Sequence, residues 1–513
     1  MKTDVLIIGA GPTGLMLANQ LNRFGINFII IDHKKSPSVE SRAMSVSSRS
    51  MEIYQQLELS DKIISQSKIV KGVKMLNNGK IIANLNLETI GNEFTDFGRL
   101  TTTFEQNKNE VLLLENLQEK GKDVLWNHEF VSYSEKQGYL DVILKHTSEN
   151  STQTTITSKY LVGCDGAKSA IRHRVGFAFE GGTYENKFYV ADVNLTWEYG
   201  YENVVMMPEK GVFVAFFPLQ EKNKIRVIGT LPKEFEDQEN IEFNTLENKM
   251  KEVSKIKFSI EKLNWFSTYR VHHRCVDAFS KGNVFLAGDA AHIHSPAGGQ
   301  GMNTGLQDAH NLGWKMAFVL KGLANPTLLN TYNEERLPYA KSLVKNTDRG
   351  FLFISGHNWW IRNLRTYLIL PLFGILMKYK APAVKLFKYL SQLFYSYNKL
   401  SLATNDTKQD LKFKAGDRLP FIESGYFKKL ISPTFHLIRI SNNELSPKET
   451  KLLSDLFSFE IKIIEDKISN QWKKFGVENE LYILVRPDHH ILYVGDAISK
   501  EKIEQYFQNY FKP

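Results

Sequence analysis

The sequence predicts an α/β protein of several domains, and three observations lead to this prediction. The chain has 513 residues, which is too long for one core of ordinary size, so two or three domains are expected. Residues 3–35 read as a strand, a glycine-rich turn, a helix and a second strand, which form a complete βαβ opening. Residues 185–230 are rich in strand patterns and predict a separate sheet.

The composition is ordinary for a soluble globular protein, with 42% apolar and 24% charged residues. The net charge is +9, but the lysines are scattered, so we interpret them as a solvated surface and expect no nucleic-acid partner. Cys164 and Cys275 are far apart, which argues against a disulfide framework and a metal site. The N-terminus lacks the pattern of a signal peptide, which predicts a cytoplasmic protein.

The strongest apolar stretch covers residues 367–377. It is shorter than the roughly 20 residues that a membrane-spanning helix needs, and Pro371 and Gly374 interrupt it. We expect a helical segment packed on the protein, with weak contact to a membrane surface as the alternative. Basic residues lie before and after it, namely Arg365, Lys378, Lys380, Lys385 and Lys388.

The first motif is Gly9-x-Gly11-x-x-Gly14, placed between a strand pattern and a helical face. Gly9 permits a tight turn, Gly11 lets the backbone approach a pyrophosphate, and Gly14 allows helix and strand to pack closely. Pro12 and Thr13 complete the turn, and the helix N-terminus would face the phosphates. This context predicts a dinucleotide-binding site.

An acidic residue follows at the end of the second predicted strand. Asp32 lies 18 residues after Gly14 and could accept hydrogen bonds from an adenosine ribose. A carboxylate there disfavours a 2′-phosphate, so FAD or NAD fits this position better than NADP. We include the neighbouring His33 and, from a later strand, Val131 among the candidate cofactor-binding residues.

A second motif begins at Gly288-Asp289, after the buried-strand pattern of residues 284–287. Asp289 is therefore expected at the carboxyl end of a strand, where α/β sheets bind ligands. The glycine-rich residues 298–303 would let backbone N–H groups crowd a flat ring, and such donors could stabilise negative charge on a reduced flavin.

A third motif, residues 160–172, again combines a strand, a turn and a helix start. Asp165 in its turn could act near the cofactor pyrophosphate. It could also cap the helix, and the two roles are compatible.

These three motifs, in this order, resemble the class A flavoprotein monooxygenases, the para-hydroxybenzoate hydroxylase-like aromatic hydroxylases. The resemblance spans roughly residues 3–345. It implies a Rossmann-like FAD-binding domain with an inserted β-sheet substrate domain and a helical segment, and FAD and NAD(P)H as cofactors. It also implies hydroxylation of an aromatic or polycyclic small molecule with O2, through a C4a-hydroperoxyflavin.

The resemblance also assigns roles to individual residues. Gly9, Gly11 and Gly14 would hold the FAD pyrophosphate, and Asp32 would bind the adenosine ribose. The other matched positions are Arg42 at an FAD phosphate, Gln106 near the ribityl chain, Asp165 for FAD and NAD(P)H, Asp289 at the ribityl hydroxyls, and Pro296, Gly301, Met302 and Asn303 beside the isoalloxazine ring.

The C-terminal stretch resembles the thioredoxin-like domain that a longer subgroup of this family carries. No cysteine follows Cys275, so this α/β domain cannot perform dithiol chemistry. The predicted boundaries are 1–175 for the FAD-binding domain, with part of the substrate sheet at about 70–105; 176–270 for the substrate domain; 271–400 for the rest of the FAD-binding domain and the helical segment; and 405–513 for the thioredoxin-like domain.

The residues leave several alternatives open. A flavin-dependent reductase or halogenase could use the same fold, although the sequence has no Trp-x-Trp-x-Ile stretch of the halogenase type. A non-catalytic FAD-binding scaffold is a third alternative. For the oligomeric state, either a monomer or a homodimer is expected. A phenolic substrate would need help to lose its proton, and the candidate residues for this are Tyr184, Tyr189, Tyr269, His272 and His273.

Overall fold

The structure is a computed structural model, and it describes residues 1 to 512 with short gaps. The residues outside the description are 40, 42, 87, 99–100, 149–150, 210–211, 236–237, 239–240, 296–298, 356–362, 365–367 and 513. Arg42 and Pro296, both predicted to act at the cofactor, therefore lie outside the described residues.

The described part of the chain contains both strands and helices. The strands are β1 Lys2–Ile8, β2 Phe28–Ile31, β3 Ser45–Val46, β4 Lys68–Val70, β5 Gly72–Asn77, β6 Lys80–Asn86, β7 Thr101–Thr103, β8 Val124–Leu125, β9 His128–Lys136, β10 Tyr139–His146, β11 Gln153–Gly163, β12 Phe179–Trp197, β13 Asn203–Glu209, β14 Val212–Pro218, β15 Lys224–Thr230, β16 Phe258–Val276, β17 Ser280–Lys281, β18 Val284–Leu286, β19 His292–Ile293, β20 Thr404–Asp406, β21 His436–Ile440, β22 Lys462–Asp466, β23 Leu481–Val485 and β24 Ile491–Gly495. The helices are α1 Pro12–Arg23, α2 Ser48–Gln56, α3 Ser60–Ser65, α4 Glu88–Gly91, α5 Gln106–Gln118, α6 Ala170–Val175, α7 Phe243–Ser254, α8 Gly301–Leu320, α9 Asn330–Ser355, α10 Leu370–Leu376, α11 Lys380–Ser391, α12 Pro447–Ser454, α13 Asn470–Lys473 and α14 Lys500–Phe507.

The first sheet forms the core of the N-terminal part of the chain. Its parallel strands run in the order β18-β11-β1-β2-β8, with β17 at one edge and the β9–β10 hairpin attached to β11. Buried parallel strands read as continuous apolar runs, and every residue from Val5 to Ile8 is buried. Helix α1 packs against both α5 and α8 beside this sheet. The predicted α/β class and its Rossmann-like opening are confirmed.

The second sheet is antiparallel over most of its width. Its strand order is β19-β16-β12-β15-β14-β13-β5-β6, so residues 72–86 add one edge to a sheet built mainly from residues 179–276. One face is covered by α7, where Phe243 and Leu246 pack in the same cluster as Val214 and Phe216. Part of the opposite face is covered by the helical segment, through Phe373 and Phe387.

The C-terminal part of the chain forms a five-stranded sheet of order β20-β24-β23-β21-β22. Its own core includes Leu419, Trp472 and Ile483. The thioredoxin-like topology and the exact domain boundaries stay predictions.

Buried charges join this C-terminal sheet to the N-terminal part of the chain. Arg486 donates to both carboxylate oxygens of Glu335 on α9, at 2.5 and 2.9 Å, and it also pairs with Asp488. Lys315 on α8 donates to the same Glu335 at 2.7 Å. All four side chains are at most 2% exposed. Each ion therefore depends on its partners for solvation.

The neighbouring contact repeats this pattern around Glu52 on α2. Glu52 accepts from Arg418 of the C-terminal part at 2.8 Å and from Arg49 at 3.0 Å. Arg49 also donates to the backbone carbonyl of Asp488 at 2.6 Å.

The charges around Glu335 keep its carboxylate ionised. Burial alone would raise the pKa of Glu335, but Arg486 and Lys315 outweigh burial and lower this pKa to about 2. Helices α2, α8 and α9 are thus all tied to the C-terminal sheet by charge.

We expect Arg486→Met to destabilise the protein strongly. The substitution keeps much of the volume but leaves the carboxylates of Glu335 and Asp488 buried without their main partner, which typically costs about 3–5 kcal/mol. Urea unfolding measures the effect. The matched control is Lys62→Met, which breaks the exposed pair between Lys62 and Glu119 and should leave the midpoint nearly unchanged. Equal midpoints for the two variants would contradict this interpretation of the interface.

Candidate active site

The three sequence motifs meet at one edge of the first sheet. Ile8 at the end of β1 pairs with Gly163 at the end of β11, and Gly163 pairs with Leu286 at the end of β18. On the other side, Ile8 pairs with Ile31 at the end of β2. Each strand therefore ends at the same level, and the turns that follow lie side by side. The chain leaves β1 toward β2 and later returns at β11, so this edge is a topological switch point.

The turns are pressed together because the glycines have no side chains. A Cβ on Gly9 would overlap the backbone carbonyl of Cys164, and a Cβ on Gly14 would overlap the carbonyl of Gly9. Gly9 also has φ +105°, a conformation that L residues with side chains rarely adopt. The first and third motifs can approach only because these positions are glycine.

Gly11 has a different environment. Apart from its chain neighbours, no described atom lies within 4 Å of the position that its Cβ would take. It precedes Pro12 at the start of α1, whose N-terminus has no side-chain cap. Helix N-terminal N–H groups without partners favour an anion. The open space and the uncapped helix end together suit a phosphate group.

Thr13 connects the first motif to the second. Its Oγ1 would lie 2.5 Å from a Cβ on Gly288, which has φ +62°. A Cβ on Gly305 of α8 would collide with the same hydroxyl. Thr13 is therefore enclosed between the turn after β18 and helix α8, which fixes the distance between the two motifs.

Asp32 holds the glycine-rich turn in place. Its carboxylate accepts from the backbone N–H of Ala10 at 2.7 Å and from that of Lys34 at 2.9 Å. Sequence reasoning missed these contacts and assigned Asp32 only to a ribose. A carboxylate has about four lone-pair sites, so acceptor capacity remains. His33 is 71% exposed beside it, and Val131 is the extra residue at the bulge between β9 and β10.

Gln106 lies at the start of α5. Its backbone N–H donates to Ser41 Oγ at 2.8 Å and to the Ala43 carbonyl at 2.9 Å. Its side-chain amide donates to Glu110 at 3.0 Å. The residue therefore anchors the segment before β3, with its side chain half-buried.

Two carboxylates face the same edge of the sheet. One oxygen of Asp165 accepts from the Ile171 N–H at 3.2 Å, at the start of α6. Its Oδ1 is buried without a hydrogen-bond partner among the described residues, and burial raises the pKa of Asp165. Asp289 follows β18 and has an exposed side chain, yet the surrounding protein still raises its pKa by desolvation. An exposed group crowded by protein lies in a deep cleft.

A buried cluster behind Asp289 was not predicted from the sequence. Asp308 on α8 accepts from His292 at 2.7 Å and from Arg336 at 2.7 Å. It also accepts from the backbone N–H of Gly288 at 3.1 Å. The turn that carries Asp289 is therefore fastened to α8 and α9. Only the three-dimensional fold brings these separated residues together, so no local pattern could have indicated them.

The segment after Asp289 connects both sheets. β19 pairs with β16 of the second sheet, and α8 begins at Gly301 without a side-chain cap. Asn303 donates to the carbonyls of Ser45 and Gly299, each at 2.8 Å, and accepts from the Ser47 N–H at 2.8 Å. The described part of this segment, residues 299–303, is called the ring loop below. Its Met302 is half-buried.

His294 lies beside the ring loop. Its Nδ1 contacts the Ser295 carbonyl at 2.8 Å, while its Nε2 is buried without a partner among the described residues. A Cβ on Gly301 would lie 3.7 Å from this Nε2. Burial lowers the pKa of His294 to about 4, so the imidazole is neutral near pH 7.

The five candidates for substrate deprotonation are spread over the second sheet. Tyr189 is buried against Gly229, on the face that α7 covers, which excludes it. His272 Nδ1 is hydrogen-bonded to Thr183 Oγ1 at 2.7 Å. The remaining three lie near one another: the rings of Tyr184 and His273 are 4.6 Å apart, and Tyr269 belongs to the same cluster as Tyr184.

The geometry thus defines the class of protein as one that binds a dinucleotide cofactor where two sheets meet. Comparison with known proteins identifies the family. The family model described as "FAD binding domain" matches residues 2–347, and the chain belongs to this family. Pentachlorophenol 4-monooxygenase of Sphingobium chlorophenolicum is 30% identical over 480 residues, which cover 91% of this chain and 83% of that protein. A flavin-dependent monooxygenase of Mycobacteroides abscessus is 31% identical over 426 residues, covering 81% and 83%.

Solved structures share the whole fold. The anhydrotetracycline hydroxylase OxyS from Streptomyces rimosus superposes with a TM-score of 0.78 at 24% identity, over 100% of both chains. The flavin-dependent monooxygenase PieE, solved with FAD and substrate, gives 0.80 at 19% identity, over 99% of both chains. The chain is an FAD-dependent monooxygenase of the aromatic hydroxylase class. The prediction made from the motifs is confirmed at this level.

The residues present fit FAD. The space in front of Gly11 and the uncapped start of α1 suit its pyrophosphate. The unpartnered oxygen of Asp165 and the cleft-facing carboxylate of Asp289 can accept from hydroxyl groups. The uncapped N-terminus of α8 offers further backbone N–H groups in the ring loop.

We expect Gly11→Val to weaken FAD binding strongly and to leave the fold of the apoprotein intact. The new side chain enters open space rather than protein, so unfolding of the apoprotein should occur at nearly the same temperature. Flavin absorbance of the purified protein and a fluorescence titration with FAD measure binding, which should weaken at least about tenfold because the backbone can no longer approach the phosphates.

The matched control, Gly138→Val, should show the opposite result: lower stability and unchanged FAD binding. Gly138 has φ +82° and also has open space around its Cβ position, but it lies in the turn between β9 and β10. Gly138→Val should lower stability by about 1–3 kcal/mol through backbone strain and keep FAD binding. Normal FAD affinity in Gly11→Val would show that the pyrophosphate binds elsewhere.

Proposed function

We propose that the chain uses NADH or NADPH and O2 to hydroxylate a phenolic, polycyclic aromatic substrate held between the ring loop and the second sheet. The observation that carries this proposal is the attachment of the ring loop, through Asn303, to the segment that begins with Ser45. Met44, one residue earlier, packs on Val190 and Ile228 of the second sheet. The ring loop is therefore adjacent to one particular face of that sheet.

This face has the chemistry of an aromatic-binding surface. The opposite face is filled by α7, whereas Phe217, Trp265 and Tyr269 pack partly buried around Val190 and Ile228. Such apolar, aromatic walls bind flat ligands by burial and by stacking. The substrates in the printed names of relatives, pentachlorophenol and anhydrotetracycline, support a phenolic ring for this chain.

Arg226 supplies one polar group on the same face. Arg226 and Ile228 are two residues apart on β15, so their side chains lie on the same face of the sheet. Its Nε and Nη2 donate to Asp192 at 2.6 and 2.7 Å. Its Nη1 is buried with no partner among the described residues. A buried donor without a partner is costly, and a phenolate oxygen of the substrate would satisfy it.

The cofactor roles of individual residues are part of this proposal. When bound, FAD supplies the two-electron redox chemistry and the activation of O2. The residues orient it and keep water from the reacting atoms. We assign the pyrophosphate to Gly9, Gly11, Pro12, Thr13 and Gly14; the adenosine side to Asp32, with His33 and Val131 nearby; the phosphate and ribityl chain to Arg42, Gln106, Asp165 and Asp289; and the ring to Pro296, Gly301, Met302 and Asn303.

The function is tested by oxidation of NADH and NADPH in air with a panel of phenols and polycyclic phenols. A substrate should accelerate oxidation and give a product heavier by one oxygen atom, which is labelled when 18O2 replaces air. The Gly11→Val protein, without FAD, is the matched blank. An FAD-loaded protein that reduces a substrate without oxygen incorporation would contradict the proposal.

We expect Arg226→Lys to raise KM for a phenolic substrate by about tenfold or more, because one hydrogen bond to a charged group contributes about 1.5–3 kcal/mol. Lysine can keep the ion pair with Asp192 but loses the free Nη1 donor. KM should change more than kcat. A substrate analogue with methoxy in place of the hydroxyl serves as the internal control, since it should be affected much less. Equal effects on both substrates would remove Arg226 from the site.

A further inference from the structure

A stripe of large apolar side chains lies on the surface of the helical segment after α9. Its six residues, each exposed by 43–64%, are Leu364, Leu368, Leu372, Ile375, Leu376 and Tyr379. From Leu368 to Tyr379 their positions follow the pattern i, i+4, i+7, i+8 and i+11, which is that of one helix face. Isolated exposed leucines are ordinary on protein surfaces, but a contiguous stripe of this length indicates a binding surface.

The stripe cannot turn inward, because the other side of the segment is already packed. Phe373 and Met377 contact the cluster that contains Val73 and Leu85 of the second sheet. Gly374 lies so close to β6 that a Cβ would overlap the Ile82 carbonyl. The inner face of α10 is thus fixed on the sheet edge, and the six residues of the stripe face away from it.

The charge of this segment is strongly one-sided. Residues 349–405 contain eight basic residues and no acidic residue, whereas the rest of the chain has 57 basic and 56 acidic residues. Almost the whole net charge of +9 therefore arises here, although the basic residues themselves are scattered along the chain. Lys378, between Leu376 and Tyr379 in the sequence, and Lys385 on α11 are both exposed. Lys380 pairs with Glu93 at 2.6 Å, and Lys388 lies over the rings of Phe94 and Phe394.

We propose that the stripe and its flanking lysines dock the enzyme on an anionic lipid surface, with the helical segment lying in the plane of the headgroups. Leucine and isoleucine side chains would enter the boundary between headgroups and acyl chains, and the lysines would reach the lipid phosphates. None of the helices in the described part of the chain is long and apolar enough to cross a membrane, so docking is peripheral. A second copy of this chain would bring two basic surfaces together, which like-charge repulsion opposes.

The proposal is independent of the substrate. The full-length protein with FAD is sedimented with vesicles of phosphatidylcholine alone and with vesicles that also contain phosphatidylglycerol. We expect binding to the anionic vesicles, at least about tenfold weaker binding to the neutral ones, and release as salt is raised, because surface charges are screened.

Two variants separate the apolar and electrostatic contributions. Leu372→Glu combined with Ile375→Glu should abolish sedimentation, and Lys378→Glu combined with Lys385→Glu should remove the preference for phosphatidylglycerol. The matched control is Leu452→Glu, which changes a leucine of similar exposure on α12 of the C-terminal part and should bind normally. Flavin content and NAD(P)H oxidation of all variants check that the fold and active site persist.

Three outcomes would overturn the proposal. They are the absence of binding to anionic vesicles, an equal loss of binding in Leu452→Glu, and a dimer in size-exclusion chromatography that Leu372→Glu with Ile375→Glu converts to a monomer. The last result would assign the stripe to a second copy of the chain.

Discussion

The active site depends first on the register of three parallel strands. Because β1, β11 and β18 end at the same level, their turns must share one edge of the sheet. The turns fit there only without side chains: Gly9 meets the Cys164 carbonyl, and Gly288 meets Thr13. One added methyl group at Gly9 would separate the first and third motifs, and one at Gly288 would separate the first and second. Backbone packing therefore determines the position of the site, and the carboxylates of Asp165 and Asp289 then give it polarity.

The C-terminal part of the chain contacts the helices that adjoin this site. Its Arg486 contacts Glu335 on α9, and Glu335 in turn contacts Lys315 on α8. The opposite end of α8 begins with the ring loop, and α8 also carries Asp308, which holds the turn of Asp289. Helices α8 and α9, which adjoin the candidate flavin site, are thus held both by contacts with the turn of Asp289 and by the C-terminal sheet. A domain without cysteines can act in this way, because support requires packing and charge rather than thiol chemistry.

The sequence predicted those parts of the site that are encoded locally. Glycine spacing, a preceding strand and a following acid indicated the turn of residues 9–14 and Asp32 because these features lie within one βαβ unit. The same approach placed Asn303 beside the flavin ring but missed that its side chain holds Ser45 and Ser47, more than 250 residues away. Composition was less informative. The lysines are scattered along the chain and were interpreted as a solvated surface, whereas the excess of basic over acidic residues lies in residues 349–405. Contacts between distant residues need the fold.

Unpartnered buried polar atoms link the two halves of the site. Buried polar atoms in proteins are nearly always hydrogen-bonded; several buried atoms of the described residues have no partner, and three of them lie at the candidate site. Asp165 Oδ1 lies at the edge where the motif turns meet, His294 Nε2 lies beside the ring loop, and Arg226 Nη1 lies on the aromatic face of the second sheet. In the proposed function, these atoms would lie in turn near the cofactor phosphates, the flavin ring and the substrate. The proposed function gives two of these atoms a partner: a hydroxyl group of FAD for the Asp165 acceptor, and a phenolate oxygen of the substrate for the Arg226 donor.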